Sequence, residues 1–382
     1  MTEKLYYTDS HIKEFDASVA ACLQAEKGYK VVLDRTAFFP EGGGQYADTG
    51  MLGNVQVLDV QEKDDVIYHY TDGALPVGES VHGVLDWEKR FESMQQHTGE
   101  HIVSGLVHGK FGYNNVGFHL GDDYCTMDFD GPVTKEELKE IEALANRIVY
   151  QNLDIEVVYP TKEELKALNY RSKIEIEGQV RIVNIPGVDS CACCAPHVKK
   201  TGEIGQIKLV DMVNYKGGER ITMLAGIRAL ADHMTKEENA KRISALLCAK
   251  ENEIADAVEH LKEEQASLKI QIAGLKQKLL SYRAKEIDVS GEIVTVFDSG
   301  LSGNEPRELM NLLLKRGAKV CAVFAGTEEE GYRYVIGSPE IDVRPLCKKL
   351  NEAFRGRGGG KPGMVQGSLT GGEEEIRNIC VM

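Results

Sequence analysis

The stretch 191-CACCAPHVKKTGEIG-205 packs three cysteines and a histidine into seven residues, with Cys193 and His197 four positions apart. A thiolate and an imidazole at that spacing reach one metal ion when the backbone turns between them. Alone the pair is a weak signal, because single cysteines and histidines more often serve packing or sit in solvent. A second pair lies upstream in 95-QQHTGEHIVSG-105, where His97 and His101 fall four apart in a run of helical period and so share one helix face. Read by itself, that pair also favours one packed and one solvated histidine. Together the pairs make three imidazoles and one thiolate, a set of borderline softness that suits Zn2+ better than Mg2+ or Ca2+. His97, His101, Cys193 and His197 are therefore the candidate ligands of one zinc ion per chain.

Around these pairs the chain reads as an α+β multidomain protein. Its 382 residues suffice for two to four cores. Residues 1–85 alternate short apolar runs such as KVVLDRTAFF, NVQVLDV and VIYHY with GGG, DTG and TDG breaks, the pattern of a small β-barrel. Residues 86–233 mix helix and strand, with Thr134 and Glu137 set as a capping box, and form the zinc-binding α+β domain. From 234 to 286, Leu247, Ile254, Leu261, Leu268 and Leu275 recur every seven residues, which predicts a coiled coil or long helical arm. Residues 287–382 alternate strand and helix as a small α/β domain. The net charge of −15 excludes bulk electrostatic binding of nucleic acid and leaves only local basic stripes. Nine scattered cysteines predict a reducing compartment, the cytoplasm, and no apolar run is long enough to span a membrane.

H-x3-H, then C-x3-H with TGEIG about ninety residues on, resembles the editing domain of alanyl-tRNA synthetases and its free-standing AlaX-type relatives. RTAFFPEGGGQYADTG resembles that family's glycine-rich motif, GFHLGDDYCTMDFD its central strand, and GGGKPGMVQG the end of the DHHA1-like domain that follows editing in the synthetase. Where the family often has C-G-G-T-H, this chain has Cys193-Cys194-Ala195-Pro196-His197, and Cys191 adds another thiol. Cys193 alone keeps the three-residue gap to His197.

The resemblance implies hydrolysis, in trans, of tRNA(Ala) mischarged with serine or glycine, without ATP, since a charging domain would need several hundred more residues. It implies tRNA(Ala) as partner, with homodimerisation through the coiled coil and C-terminal domain as a further expectation. A pocket sized for alanine discriminates by only about 1–3 kcal/mol against one added hydroxyl or one missing methyl, so a second site is required. Thr98 is the candidate reader of the serine hydroxyl, and Glu100 and Asp128 are candidates to orient water or imidazole. Gly42, Gly43, Gly44 and Gln45 read as a tight turn, and by the resemblance as a contact to the 3′-terminal adenosine, with Arg35 adding charge. Arg355, Arg357 and Lys361, with Lys348 and Lys349, form a basic run for tRNA phosphates. The competing reading is a tRNA-binding or dimerising protein with a structural zinc. A zinc peptidase is disfavoured because QHTGEH lacks the H-E-x-x-H arrangement.

Overall fold

The computed structural model describes residues 2–172 and 179–381, which form two compact units, Met1–Arg242 and Ile243–Met382. In the first unit, strands Glu14–Gln24, Tyr29–Leu33, Val66–Thr71, Val55–Lys63, Gly50–Leu52 and Ser80–Leu85 pair antiparallel in that spatial order and close into a barrel. Alternation decides which side faces in: Phe15, Ala17 and Val19 enter the core with Val31, Leu33, Val57 and Ile67, while their neighbours face out.

Beside the barrel, the helix Trp87–Phe111 starts at Asp86, whose side chain accepts from Lys89 N–H, and stops at Gly112 in the left-handed conformation. It packs on an antiparallel sheet of Ile207–Tyr215, Gly218–Ala225, Cys125–Phe129 and Asn115–Leu120, with the Lys135–Gln151 helix completing the core. The Thr134–Glu137 capping box forms. Gly99 lets the long helix approach closely, since a Cβ there would lie 3.2 Å from both the Ala225 methyl and Met223 Cε. The Gln96 amide then pairs with both backbone groups of Ala225, at 2.6 and 2.8 Å. A second sheet, Glu156–Val158, Ile182–Ile185 and Asp189–Ala192, leads directly into the cysteine-rich loop.

One buried ion pair fixes the barrel to the long helix. Arg90 donates to both oxygens of Asp48 and to the carbonyls of Ala37 and Ser10, so nothing charged is left uncompensated. Asp48 also closes the glycine-rich loop, its side chain and amide both bonding Phe39. The turn Gly42–Gln45 is thereby set relative to His97, two helical turns beyond Arg90.

The segment expected as a coiled coil or helical arm over 234–286 is made of two helices, Gly226–Leu247 and Ile254–Glu286. Cys248 takes a left-handed backbone, and the Ser244 hydroxyl and carbonyl bond the two backbone groups of Ala249, which ends the first helix. In the second unit the helix Ile254–Glu286 keeps Leu261, Leu268 and Leu275 exposed and buries Leu280 and Ala284 against an α/β core. That core is a five-stranded sheet, Ile293–Phe297, Val320–Thr327, Gly331–Gly337, Met364–Leu369 and Arg357–Lys361 in order, parallel only between the first two. The helix Glu305–Lys315 covers one face and Arg344–Ala353 with Glu373–Cys380 the other. Among the described residues no helix is long and apolar enough to cross a membrane.

Candidate functional site

His97 and His101 project from one face of the long helix and meet Cys193 and His197 of the loop, all four ligand atoms lying within 4.8 Å of one another. Cys193 Sγ is 3.6 Å from His97 Nε2 and 3.4 Å from His197 Nε2. The three imidazoles are buried and Cys193 is half-buried. Each ring has its other nitrogen engaged: His97 Nδ1 with Gln45 Oε1 at 3.1 Å, His101 Nδ1 with Asp189 Oδ2 at 3.0 Å, and His197 Nδ1 with Thr98 Oγ1 at 3.1 Å. The three oxygens engage each Nδ1 and hold the rings so that every Nε2 faces the sulfur. The cluster could hold a metal ion.

Electrostatics agree with that arrangement. Burial alone would raise the Cys193 thiol, but the imidazoles of His97 and His197, with hydrogen bonds from His101 and His197, hold it well below its usual range as a thiolate. Burial, followed by the charge of His101, lowers His197 to about 3 and keeps it neutral. For His101 burial also works against the charged form, yet the bonds to Asp189 and Cys193 and the charge of Glu100 outweigh it. Asp189 in turn receives both Nε and Nη2 of Arg171, at 2.7 and 2.8 Å.

The loop is held from outside the cluster. Arg181 Nη1 donates to the carbonyls of Cys193 and Ala195, at 2.7 and 3.0 Å, and its guanidinium lies over the Tyr7 ring. On the facing side Gly42 and Gln45 exchange backbone hydrogen bonds across a turn whose central residues, Gly43 and Gly44, have φ of 61° and 81°. Both angles lie where L side chains are costly. A Cβ on Gly43 would stand 3.3 Å from Cys194 Sγ and 4.0 Å from His97 Cε1, so this turn borders the cluster directly.

The predicted residues separate into several groups. Glu100 is buried beside the ligands: Oε1 accepts from Ser104 and Asn115, and Oε2 lies 3.7 Å from His101 Nε2. Thr98 is buried too, but its oxygen is occupied by His197 Nδ1 and by the Val198 amide, so it positions a histidine and is not placed to read a side chain. Gln45 is buried against His97, with Oε1 on His97 Nδ1 and Nε2 without a partner among the described residues. Asp128 pairs with Arg220 through both oxygens. Arg35 is exposed and 3.5 Å from Glu3, with no link to the cluster among the described residues. Cys191 belongs to a second grouping with His101 and Asp189, and Cys194 is exposed toward the glycine turn. Asp189, Arg171 and Arg181 escaped sequence reading. An acid two residues before the cluster, in VDSCAC, was the only hint of Asp189.

Comparison with known proteins bears on this geometry. Residues 2–89 match the family tRNA synthetases class II (A), residues 180–227 the threonyl and alanyl tRNA synthetase second additional domain, and residues 290–380 the DHHA1 domain. The alanyl-tRNA editing protein AlaX-L of Pyrococcus horikoshii is 28% identical over 100% of this chain and 98% of its own length. Over its whole length the chain is similar to this AlaX-type editing protein. The editing protein Aarsd1 of Rattus norvegicus is 29% identical over 95% of this chain and 93% of its own length. The alanine–tRNA ligase of Halobacterium salinarum is 33% identical over 89% of this chain, which spans 39% of the length of that ligase. Within this chain the cysteine-rich loop and its supporting Arg181 fall inside the second-additional-domain match, whereas His97 and His101 lie outside it.

Proposed function

We propose that the chain hydrolyses, in trans, the ester of tRNA(Ala) mischarged with serine, or with glycine, and that one zinc ion sits among His97, His101, Cys193 and His197. The observation that carries this reading is the convergence of three Nδ1-fixed imidazoles on one thiolate. A tetrahedral zinc with bonds of about 2.3 Å to sulfur and about 2.05 Å to nitrogen has S···N edges of about 3.6 Å. The two S···N distances recorded here, 3.6 and 3.4 Å, match that edge.

When bound, zinc supplies Lewis acidity to a carbonyl or a water at the half-buried Cys193 side. Glu100, held by Ser104 and Asn115 with Oε2 3.7 Å from His101 Nε2, sets the charge beside the cluster. The amides of Gly43 and Gly44 have no acceptor among the described residues, and they donate to the oxygen on which charge develops or to the terminal ribose. Gln45 Nε2, buried without a protein acceptor, is left for a substrate oxygen beside His97. The nine free cysteines fit a reducing compartment such as the cytoplasm. The exposed Leu261, Leu268 and Leu275 stripe fits a second copy of the chain.

The deciding experiment is paired deacylation of seryl- and alanyl-tRNA(Ala), with and without prior chelation. Hydrolysis of the seryl ester ahead of the alanyl ester, lost on chelation and regained with zinc, is expected. Seryl ester decaying only at its spontaneous rate would leave a structural zinc in a tRNA-binding protein.

A further inference from the structure

The strand Asp189–Ala192, which feeds the cysteine-rich loop, pairs along one side with Ile182–Ile185. On its other side, among the described residues, it bridges one residue, Arg171. The bridge to Cys191 is parallel, with the Arg171 amide donating to the Ser190 carbonyl at 2.8 Å and the Arg171 carbonyl accepting from the Ala192 amide at 2.9 Å. The side chain turns to the same strand: Nε donates to Asp189 Oδ1 at 2.7 Å and Nη2 to Oδ2 at 2.8 Å. Backbone and side chain of one residue thus hold Asp189, Ser190 and Ala192 together.

What Arg171 anchors has little else to hold it. The preceding helix, Lys162–Ala167, starts at the Thr161–Glu164 capping box and buries none of its residues. Beyond it Leu168, Asn169 and Ser172 are exposed. Two clefts of about 500 and 360 Å³ both border Asn169, Tyr170 and Arg171, so open space and not packed core lies beside the segment. Few buried apolar contacts and solvent on its flanks make such a segment easy to open locally.

On the inward side Asp189 stands between this arginine and the cluster. Its side chain is 2% exposed, and Oδ2 also bonds His101 Nδ1 at 3.0 Å. Gly105, one turn beyond His101, permits that approach: a Cβ there would stand 2.8 Å from Asp189 Cβ and 2.4 Å from the Val188 carbonyl oxygen. A carboxylate and an imidazole each swing about a broad terminal torsion, so neither fixes the other unaided. The guanidinium does, because two parallel N–H···O bonds hold the carboxylate in the plane of a rigid fork. The contacts therefore run unbroken from the backbone of an exposed segment to a ring of the cluster.

We infer that Arg171 is a positioning residue of the cluster: its fork sets Asp189 and through it the ring of His101, and the same contacts couple docking of residues 162–172 to occupancy of the cluster by a metal ion. This rests on the proposed metal site. Coupling between two binding events is reciprocal. An undocked segment leaves His101 unaligned and weakens metal binding, and a bound metal, by holding His101 and Asp189, keeps the segment docked.

The test uses the full-length protein as wild type, R171A, R171K and K166A, the last on the exposed helix of the same segment. Zinc affinity is read by competition with a chelator, ligand geometry by the absorption spectrum of the Co2+-loaded protein, and docking by hydrogen exchange across 162–172 with and without zinc. R171A is expected to bind zinc about 10–100-fold more weakly, the effect of losing a group that orients a ligand. R171K keeps the charge without the fork and is expected to stay near R171A, with the Co2+ spectrum altered in both, while K166A matches wild type. In wild type zinc is expected to slow exchange across the segment by up to the same factor, and this dependence is lost in R171A. The wild-type exchange needs no substitution, so it decides even where R171A fails to fold. Wild-type zinc affinity in R171A or R171K, or wild-type exchange that is the same with and without zinc, overturns the inference while the metal site stands. A wild-type chain that takes up neither zinc nor cobalt overturns the metal site and the inference with it. Zinc coupled to the segment in a protein that hydrolyses no seryl ester overturns the editing reading and leaves Arg171 in its role.

Discussion

Replacing Thr98 by valine keeps the side-chain volume and removes one oxygen. That hydroxyl bonds His197 Nδ1 at 3.1 Å and accepts from the Val198 amide at 3.3 Å, in a side chain with no solvent exposure. Two buried polar groups therefore lose their partner together, at about 1–3 kcal/mol for each, part of which falls on folding. The remainder falls on the metal, because an imidazole whose outer nitrogen is unpaired is free to rotate or to change tautomer. Loss of such an orienting group typically weakens metal affinity by about 10–100-fold. Titration against a chelator of known affinity reads this directly, and T98S, which restores the hydroxyl, should recover most of it. Single-turnover hydrolysis of seryl- and alanyl-tRNA(Ala) by T98V should fall in the same proportion, since the defect lies in the site and not in recognition of the amino acid. Wild-type metal affinity with a loss confined to the seryl ester would refute this reasoning and return Thr98 to the role of reading serine.

His101→Ala and Cys193→Ala should each strip most of the metal, measured as stoichiometry per chain, and abolish hydrolysis; undiminished metal in both variants would exclude the four-ligand site. Gly44→Ala places a Cβ 2.8 Å from the Phe118 ring at a φ of 81°, so hydrolysis should drop by at least tenfold while the barrel melts within a few degrees of wild type, read by paired activity and calorimetry. His69 is fully buried in the barrel, Nε2 on the Thr36 hydroxyl and Nδ1 on the Val31 carbonyl, and burial lowers it from 6.5 to about 4. Its folded value lies below its unfolded one, so its contribution is complete above pH 6.5 and is lost as the pH falls to about 4, roughly 3 kcal/mol in all. Denaturant melts should show His69→Gln losing that much less stability than wild type across this window; parallel curves would contradict it.

The two pairs that meet in the His97, His101, Cys193 and His197 cluster were legible in the sequence because their chemistry repeats at a spacing that local geometry enforces: four residues return to the same helix face, and four residues of loop can fold back on themselves. The capping box at Thr134 and the alternating barrel strands were legible for the same reason. Asp189, Arg171 and Arg181 carry no such local mark. Each is a single polar residue in or beside a strand, and its role exists only once the Asp189–Ala192 strand is set against the long helix. The motif at Gln45 was recognised but its orientation was not, since a Gly-Gly-Gly-Gln turn in isolation presents glutamine to solvent. What buries it is the Asp48–Arg90 pair, which draws the whole loop onto the helix that bears His97.

The C-terminal charges teach the same lesson with the opposite sign. A run of cations in sequence carries no information on which side of a sheet each one faces, because that depends on where helix gives way to strand. Here the change falls between Ala353 and Arg357, so Lys348 and Lys349 follow a helix to one face while Arg357 and Lys361 follow strand alternation to the other. Arg333 joins them through register alone, paired by way of Ser368 and separated from Arg357 by more than twenty residues. Gly359 then gains a meaning that no glycine count provides. Its two neighbours are fixed by contacts within the sheet, and it is not: a Cβ there would meet nothing within 4 Å.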